Sequence, residues 1–344
     1  MNKKLASSAV GLLALLVAAN PTEARAQSVA GFYSGKTINI LIGAGEGGAY
    51  SLYGQLAAEY LRKLLPGNPT VIVQSMPGAG GIKATDFLAN VAPKDGTSLG
   101  MLLDLAAATQ VLQPRAVRYD LSKFSVVGSF VTDNPVVMVR ADTGVRSFAD
   151  MKKKSIIVGA SGKGSQTYVH PALLKDVLGA DIKIVTGYRG SADISLALER
   201  GEVQGQSATW VSWQARHIDW IKKGQIIPIV QVGLKKETGL PDVPLMLELA
   251  TADEDRQVLE LMSSGSQIGR ALFAPPGVPA DRIAALQAAF DTMVNDPGFR
   301  EAAAKRKLVV APTRGTEVQG IIRKVVSYAP AVIERARAVS GIKD

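Results

Sequence analysis

Cysteine is absent from the 344 residues, and histidine occurs only at His170 and His217. Without thiols there is no disulfide framework and no soft-metal centre, and two imidazoles remove most of the remaining ligand chemistry. Acidic side chains are outnumbered, 30 against 39 Lys and Arg, but the basic surplus is dispersed. Its longest run is "KKK" at 152–154, which reads as a solvated helix end. Nucleic acid is therefore not expected as a partner, whereas small organic anions fit a scattered positive charge. No segment beyond the N-terminus is an uninterrupted apolar run of membrane-spanning length. What is present is an ordinary globular composition, 47% hydrophobic and 20% charged, over a length that suits two domains.

The N-terminus reads as an export signal. "MNKK" is a basic start, "LASSAVGLLALLVAAN" an apolar stretch, and "ARA" ending at Ala26 a small-x-small cleavage site. Residues 1–26 are thus expected to be removed and the mature protein to be periplasmic. The formal charge of +9 falls to +7 once Lys3, Lys4, Arg25 and Glu23 leave with the signal. An exported chain with no disulfides must rely on the size of its core.

The remainder alternates strand-like and helical segments. "TINILI" (37–42), "TVIVQS" (70–75), "SLGMLLD", "SIIVGAS" (155–161), "DIKIVTGY" (181–188) and "EVQGQSA" (202–208) read as strands. Between them, "SLYGQLAAEYLRKLL", "IKATDFLANVA", "YVHPALLKDVLG" and "SADISLALERG" read as helices, the rhythm of a parallel sheet with crossover helices. Pro171 is expected in a first helical turn. One α/β half begins near residue 37 and another near 136, joined around "VVGSFVTDNPVVMVR" (126–140) and crossing back near "GRALFAPPGVP" (269–279).

The glycine loops carry the functional question. "GAGEGGAYS" follows the first strand with GxGxxG spacing at Gly43, Gly45 and Gly48. A dinucleotide turn needs an acid at the end of the next strand, and there Gln74 and Ser75 stand instead. Nor is "GASGKGS" a P-loop, because Gly164 separates Lys163 from Ser165. Similar loops recur at "MPGAGG" (76–81) and "ASGKGSQT" (160–167), each where a strand gives way to a helix. Helix N-termini there offer free amides to anions, and glycine lets those amides approach closely. Three such loops on two halves imply one shared anion cleft, and Trp210, at the end of a strand, is a candidate wall for it. Each loop taken singly also reads as an ordinary turn.

Catalytic patterns fail. "GASGKG" misses G-x-S-x-G because Lys163 holds the last position, and neither histidine stands in a serine–histidine–acid arrangement in the sequence. The chain is not expected to be an enzyme or to need a cofactor; an exported hydrolase is the rival of another class.

Taken in order, "NPTVIVQSMPGAGGIKATDFLANVAPKDGTSLG" (68–100), "GASGKGSQT", "TGYRGSADISLALERGEV", "LPDVP" (240–244) and "APPGVPADRIAALQAAFDTMVNDPGF" (274–299) resemble the extracytoplasmic solute receptors of the tripartite tricarboxylate transporter system, the Bug/TctC-like family. The resemblance covers nearly the whole mature chain. It implies a two-lobed periplasmic binding protein of α/β class, type II-like, each lobe a mostly parallel sheet flanked by helices. Lobe 1 would comprise 28–130 plus 250–344, and lobe 2 would comprise 131–249. The implied function is capture of a small organic carboxylate between the lobes and delivery to the membrane permease subunits of such a transporter, or its presentation to a sensor kinase. The ligand-binding residues carried over are Ala44, Gly45, Glu46, Gly47, Gly48, Ala49, Tyr50 and Ser51; Gly78, Ala79, Gly80 and Gly81; Ser161, Gly164, Ser165, Gln166 and Thr167; and Tyr188 and Gly190. The chain departs from the family pattern at Ser51, where many members carry an acid, at Gln55, where arginine is common, and at Tyr168, where histidine is frequent. Glu46 is expected to face solvent, since a carboxylate beside a bound anion is unfavourable.

Overall fold

The computed structural model describes residues 29–163 and 165–340; the export signal read over 1–26, and Gly164 of the third glycine loop, lie outside the described residues. The strand β1 (Thr37–Ile42) buries Ile38, Ile40 and Ile42 completely, as its alternation requires. Helix α1 (Ala49–Leu64) sets Tyr53, Leu56, Ala57 and Leu61 into the same core at helical spacing. Each such buried aliphatic side chain contributes about 1.5–3 kcal/mol. The unit repeats as β2 (Thr70–Ser75), α2 (Ile82–Asn90), β3 (Ser98–Met101) and α3 (Ala106–Leu112).

Two further strands, β4 (Ser125–Ser129) and β5 (Pro135–Arg140), flank the first crossing between sheets. Then follow β6 (Ile156–Ala160), α4 (Gln166–Asp176), β7 (Ile182–Thr186), α5 (Ser191–Glu199), β8 (Gly205–Thr209), α6 (Trp210–Lys222) and β9 (Ile226–Gln231). The chain ends through α7 (Asp253–Ser263), β10 (Ala271–Ala274), α8 (Ala280–Asn295), α9 (Pro297–Lys305), β11 (Thr313–Arg314), α10 (Gly315–Val326) and α11 (Pro330–Ser340). Pro297 opens α9 with Asp296 capping it, so the Pro-Gly pair separates α9 from α8.

The strands form two sheets, ordered β11-β4-β10-β3-β1-β2 and β7-β6-β8-β5-β9. In the first, β1 is parallel to β2 and β3, while β10 runs against β3 and β4, and β11 against β4. In the second, β6 is parallel to β7 and β8, and β5 runs against β8 and β9. Both sheets are therefore mixed. β5 and β10 run reversed where the chain crosses between sheets and enters from the far side, which no local pattern announces.

Pro171 departs from expectation. Helix α4 begins at Gln166, inside the third glycine loop, so Pro171 sits in the helix interior and is buried. Having no N–H, it forgoes one intrahelical hydrogen bond.

The two crossings lie side by side. The Phe130 amide donates to the Arg270 carbonyl at 2.9 Å, the Arg270 amide to Val131 at 3.0 Å, and the Asp133 amide to Ser266 at 3.3 Å. Gly269 is required here: its φ is +63°, and a Cβ would stand 1.9 Å from the Val131 carbonyl oxygen. Behind this junction, one apolar core runs on from Leu88, Val126 and Phe273 of the first sheet's side to Val137, Val139 and Val158 of the second. Helix α11 packs on α3, α4 and α7, spanning the two sides.

Candidate functional site

The loops of interest all sit at the C-terminal ends of strands. In the first sheet, the neighbours of β1 are β3 and β2, so the glycine loop at 43–48 lies between Asp104, after β3, and the loop at 76–81, after β2. A Cβ on Gly43 would touch the Gly81 backbone at 3.8 Å. In the second sheet, β6 lies between β7 and β8, placing the Ser161 loop between the Tyr188–Gly190 turn and the start of α6. The two sets meet. Arg216 of α6 donates from Nη2 to the Gly47 carbonyl at 2.6 Å, and a Cβ on Gly45 would come 3.8 Å from the Arg189 carbonyl oxygen.

The helices that follow these loops share one feature. The residues preceding α1, α2, α4 and α5 are Gly48, Gly81, Ser165 and Gly190, and none makes a side-chain cap. Their first-turn amides keep the capacity to receive an acceptor. By contrast α6, which also starts at a strand end, is capped by Thr209, whose hydroxyl accepts from the Ser212 amide at 3.4 Å.

Hydroxyls furnish the second sheet's side. Ser161 Oγ lies 2.9 Å from Ser165 Oγ and 3.0 Å from Thr167 Oγ1, and Ser165 Oγ lies 2.7 Å from Thr167 Oγ1. The Ser161 amide donates to Thr167 Oγ1 at 3.0 Å, which fixes the cluster on α4. Gln166 has a buried Oε1 with no hydrogen-bond partner among the described residues. Ser51 is buried and lies within 3.5 Å of Gln55 Nε2.

Of the remaining expected residues, Ala44, Gly45, Gly48, Ala49 and Gly80 are half-buried, Tyr50 and Gly81 are buried, and Gly78 and Ala79 are exposed. Glu46 is exposed beside Gly47. Tyr188 is half-buried, its ring against β6, where a Cβ on Gly159 would meet it at 3.3 Å. Trp210 is buried in the cluster that holds Leu240 and Val243, and its indole lies against Gly239. Tyr168 is half-buried against the long core. An open depression bordered by Arg62, Lys63, Asn68 and Val71 lies at the opposite, N-terminal end of β2.

Beneath the first glycine loop lies a buried charge cluster that local sequence patterns do not announce. The guanidinium of Arg270 sits 4.0 Å above the Tyr50 ring, donates from Nη2 to Thr209 Oγ1 at 3.2 Å, and lies 3.8 Å from Asp133 Oδ2. Burial pushes the Asp133 carboxyl up to about 6, against the pull of Arg270 and its hydrogen bonds. Burial likewise raises Asp104. The one available signal was a single charge beside two buried strands: Asp133 between "VVGSF" and "PVVMV", and Arg270 before "ALFA". Such charges must find partners.

The histidines are enclosed. His170 Nδ1 lies 3.1 Å from Ser207 Oγ, but the ring is 1% exposed and burial pushes its pKa down to about 3. His217 is held between Trp213 and Trp220, its pKa lowered by burial. Neither is presented to a ligand. Among the described residues, no group of His, Asp and Glu is arranged to hold a metal ion.

Two mixed α/β sheets, joined by paired crossings and flanked by helices, form the fold of periplasmic binding proteins. The fold matches BugD, a periplasmic binding protein, with a TM-score of 0.68 and 21% identity, over 90% of this chain and 99% of that one. It matches MatC from Rhodopseudomonas palustris, solved with malate, at 0.66 and 20%, over 89% and 99%. A second R. palustris protein, solved with adipate, matches at 0.67 and 18%, over 89% and 97%. The family model for the tripartite tricarboxylate transporter family receptor matches residues 54–337, and the chain belongs to that family. Its members are solute-binding receptors, not enzymes.

Proposed function

We propose that this receptor captures a small organic dicarboxylate in the cleft between two lobes and delivers it to the membrane permease of a tripartite tricarboxylate-type transporter. The lobes are residues 28–130 with 250–344, and residues 131–249, and export follows cleavage near Ala26. The observation that carries the reading is that four uncapped helix starts follow strands of both sheets, and that the first sheet's glycine loop meets the second sheet's side at Arg216 and Arg189. Main-chain amides of loops 44–51, 78–81 and 161–167, with the Ser161, Ser165 and Thr167 hydroxyls, hold the carboxylates by charge-assisted hydrogen bonds. Lys163, Arg189 and Arg216 are exposed at the rim and draw anions in without contributing a buried ion pair. Support for a dicarboxylate comes from the malate and adipate in the two R. palustris structures of the same fold.

Thermal denaturation against malate, adipate, citrate and ATP tests this. A dicarboxylate present at 100 times its Kd should add about 2.7 kcal/mol of stability, and Ser165→Ala should weaken it. A shift with ATP alone would overturn the reading.

A further inference from the structure

Arg270 is the residue the ligand-holding account leaves unused, and its surroundings come from every part of the hinge. It stands on the second crossing, beside the first, and its side chain is 2% exposed. On one side it covers Tyr50, in the first turn of α1; on the other it donates to Thr209, the cap of α6. Asp133, on the first crossing, is turned to both: its Oδ2 faces Arg270, and its Oδ1 accepts from the Val211 amide in the first turn of α6 at 3.1 Å. The start of α6 is therefore pinned by Asp133 and Thr209, both within reach of one guanidinium. On the following turns of the same helix, Arg216 holds the Gly47 carbonyl of the opposite sheet's glycine loop. Nε and Nη1 of Arg270, and Oδ2 of Asp133, have no hydrogen-bond partner among the described residues. A buried ion pair this incompletely satisfied is not a stability device, since apolar residues of similar volume would usually do as well. It suits an element with more than one arrangement of partners.

We propose that Arg270 is the positioning residue that couples rotation at the hinge to the grip of α6 on the glycine loop after β1. Rotation of one sheet against the other changes the separation of Tyr50 from Thr209, and the guanidinium between them can keep both partners only when the lobes are closed. Losing the Thr209 bond frees the start of α6 and, through it, Arg216. The proposal rests on the receptor reading for its ligand arm only; its main readout is taken without ligand.

The chain has no cysteine, so Ile72→Cys and Val185→Cys, both on exposed strand positions of different sheets, can be spin-labelled selectively. Interlobe distances from pulsed dipolar spectroscopy are then compared in this background and with Thr209→Val, Thr209→Ser, Arg270→Lys and Arg216→Ala added. Thr209→Val, Arg270→Lys and Arg216→Ala should each shift and broaden the ligand-free distribution, and Thr209→Ser, which keeps the hydroxyl, should restore it. If the closed fraction falls to one in ten, malate affinity falls about tenfold. Unchanged distributions in Thr209→Val and Arg270→Lys would overturn the proposal, as would a lowered melting midpoint with the distribution intact, which would mark a packing role only. Failure of malate to bind the labelled parent would count against the dicarboxylate reading and leave the distance comparison to decide the coupling.

Discussion

The loop after β1 and the loop after β6 hold the same place in their sheets, each on a strand paired on both sides, yet they are built from different chemistry. The first is nearly all backbone, with glycines at 43, 45, 47 and 48, and it rests on Tyr50, Arg270 and Asp104. The second carries three hydroxyls in mutual contact, and the helix that follows buries an uncharged His170 against Ser207 of β8. Amides fixed by backbone geometry can only donate, whereas hydroxyls rotate to donate or accept. In the proposed site, the first loop would set where a carboxylate sits, and the second would adjust to what the carboxylate carries. Formal charge is kept below the first loop, where Arg270 and Asp133 lie beside the paired crossings.

The largest test of this contrast is pH. His170, held near 3, stays neutral in the fold, while the unfolded chain takes up a proton below its ordinary 6.5. Its contribution is thus complete above about 6.5 and is lost as pH falls toward 3, at about 1.4 kcal/mol per pH unit. Asp133 has the opposite sign. Its carboxyl, raised to about 6, binds a proton more readily folded than unfolded, so the fold gains stability as pH falls from 6 toward the ordinary range. In urea unfolding between pH 4 and 6.5, His170→Asn should flatten the acid loss and Asp133→Asn should steepen it. Profiles parallel to the parent's in both variants would erase the distinction between a neutral and a charged underlayer.

Thr167→Val is a smaller perturbation. It strips the acceptor from the Ser161 amide, and leaving that donor unpaired should cost about 1–3 kcal/mol, read from the urea midpoint. Ligand affinity should fall with it. An unaffected affinity would remove the hydroxyl cluster from the site. Smallest is Gly47→Ala. Space is open around that position, but φ is +75°, so strain of about 1 kcal/mol is expected. Because Gly47 is the residue Arg216 holds, its ligand-free lobe distances should also change slightly; identical distances would weaken the link between the two loops.

Much of this arrangement was legible in the chain. The strand–glycine–helix units around 37–65, 70–90 and 155–176 follow from alternating apolar residues, turn glycines and helical spacing, all of which are local. The residues that pair the two crossings, Phe130, Val131 and Asp133 with Ser266 and Arg270, show no pattern of their own in the chain, because each finds its partner more than a hundred residues away. The reversed strands β5 and β10 were not legible, because a buried strand reads the same in either direction.

What the chain by itself determined is an alternation of strands, glycine turns and helices, since periodicity and glycine placement act over a few residues. Only the tertiary structure decided that Arg270 lies between Tyr50 and Thr209, and that Arg216 reaches Gly47. Those partners are separated by many tens of residues, and a buried charge is specified by which distant groups surround it, which no neighbouring residue records.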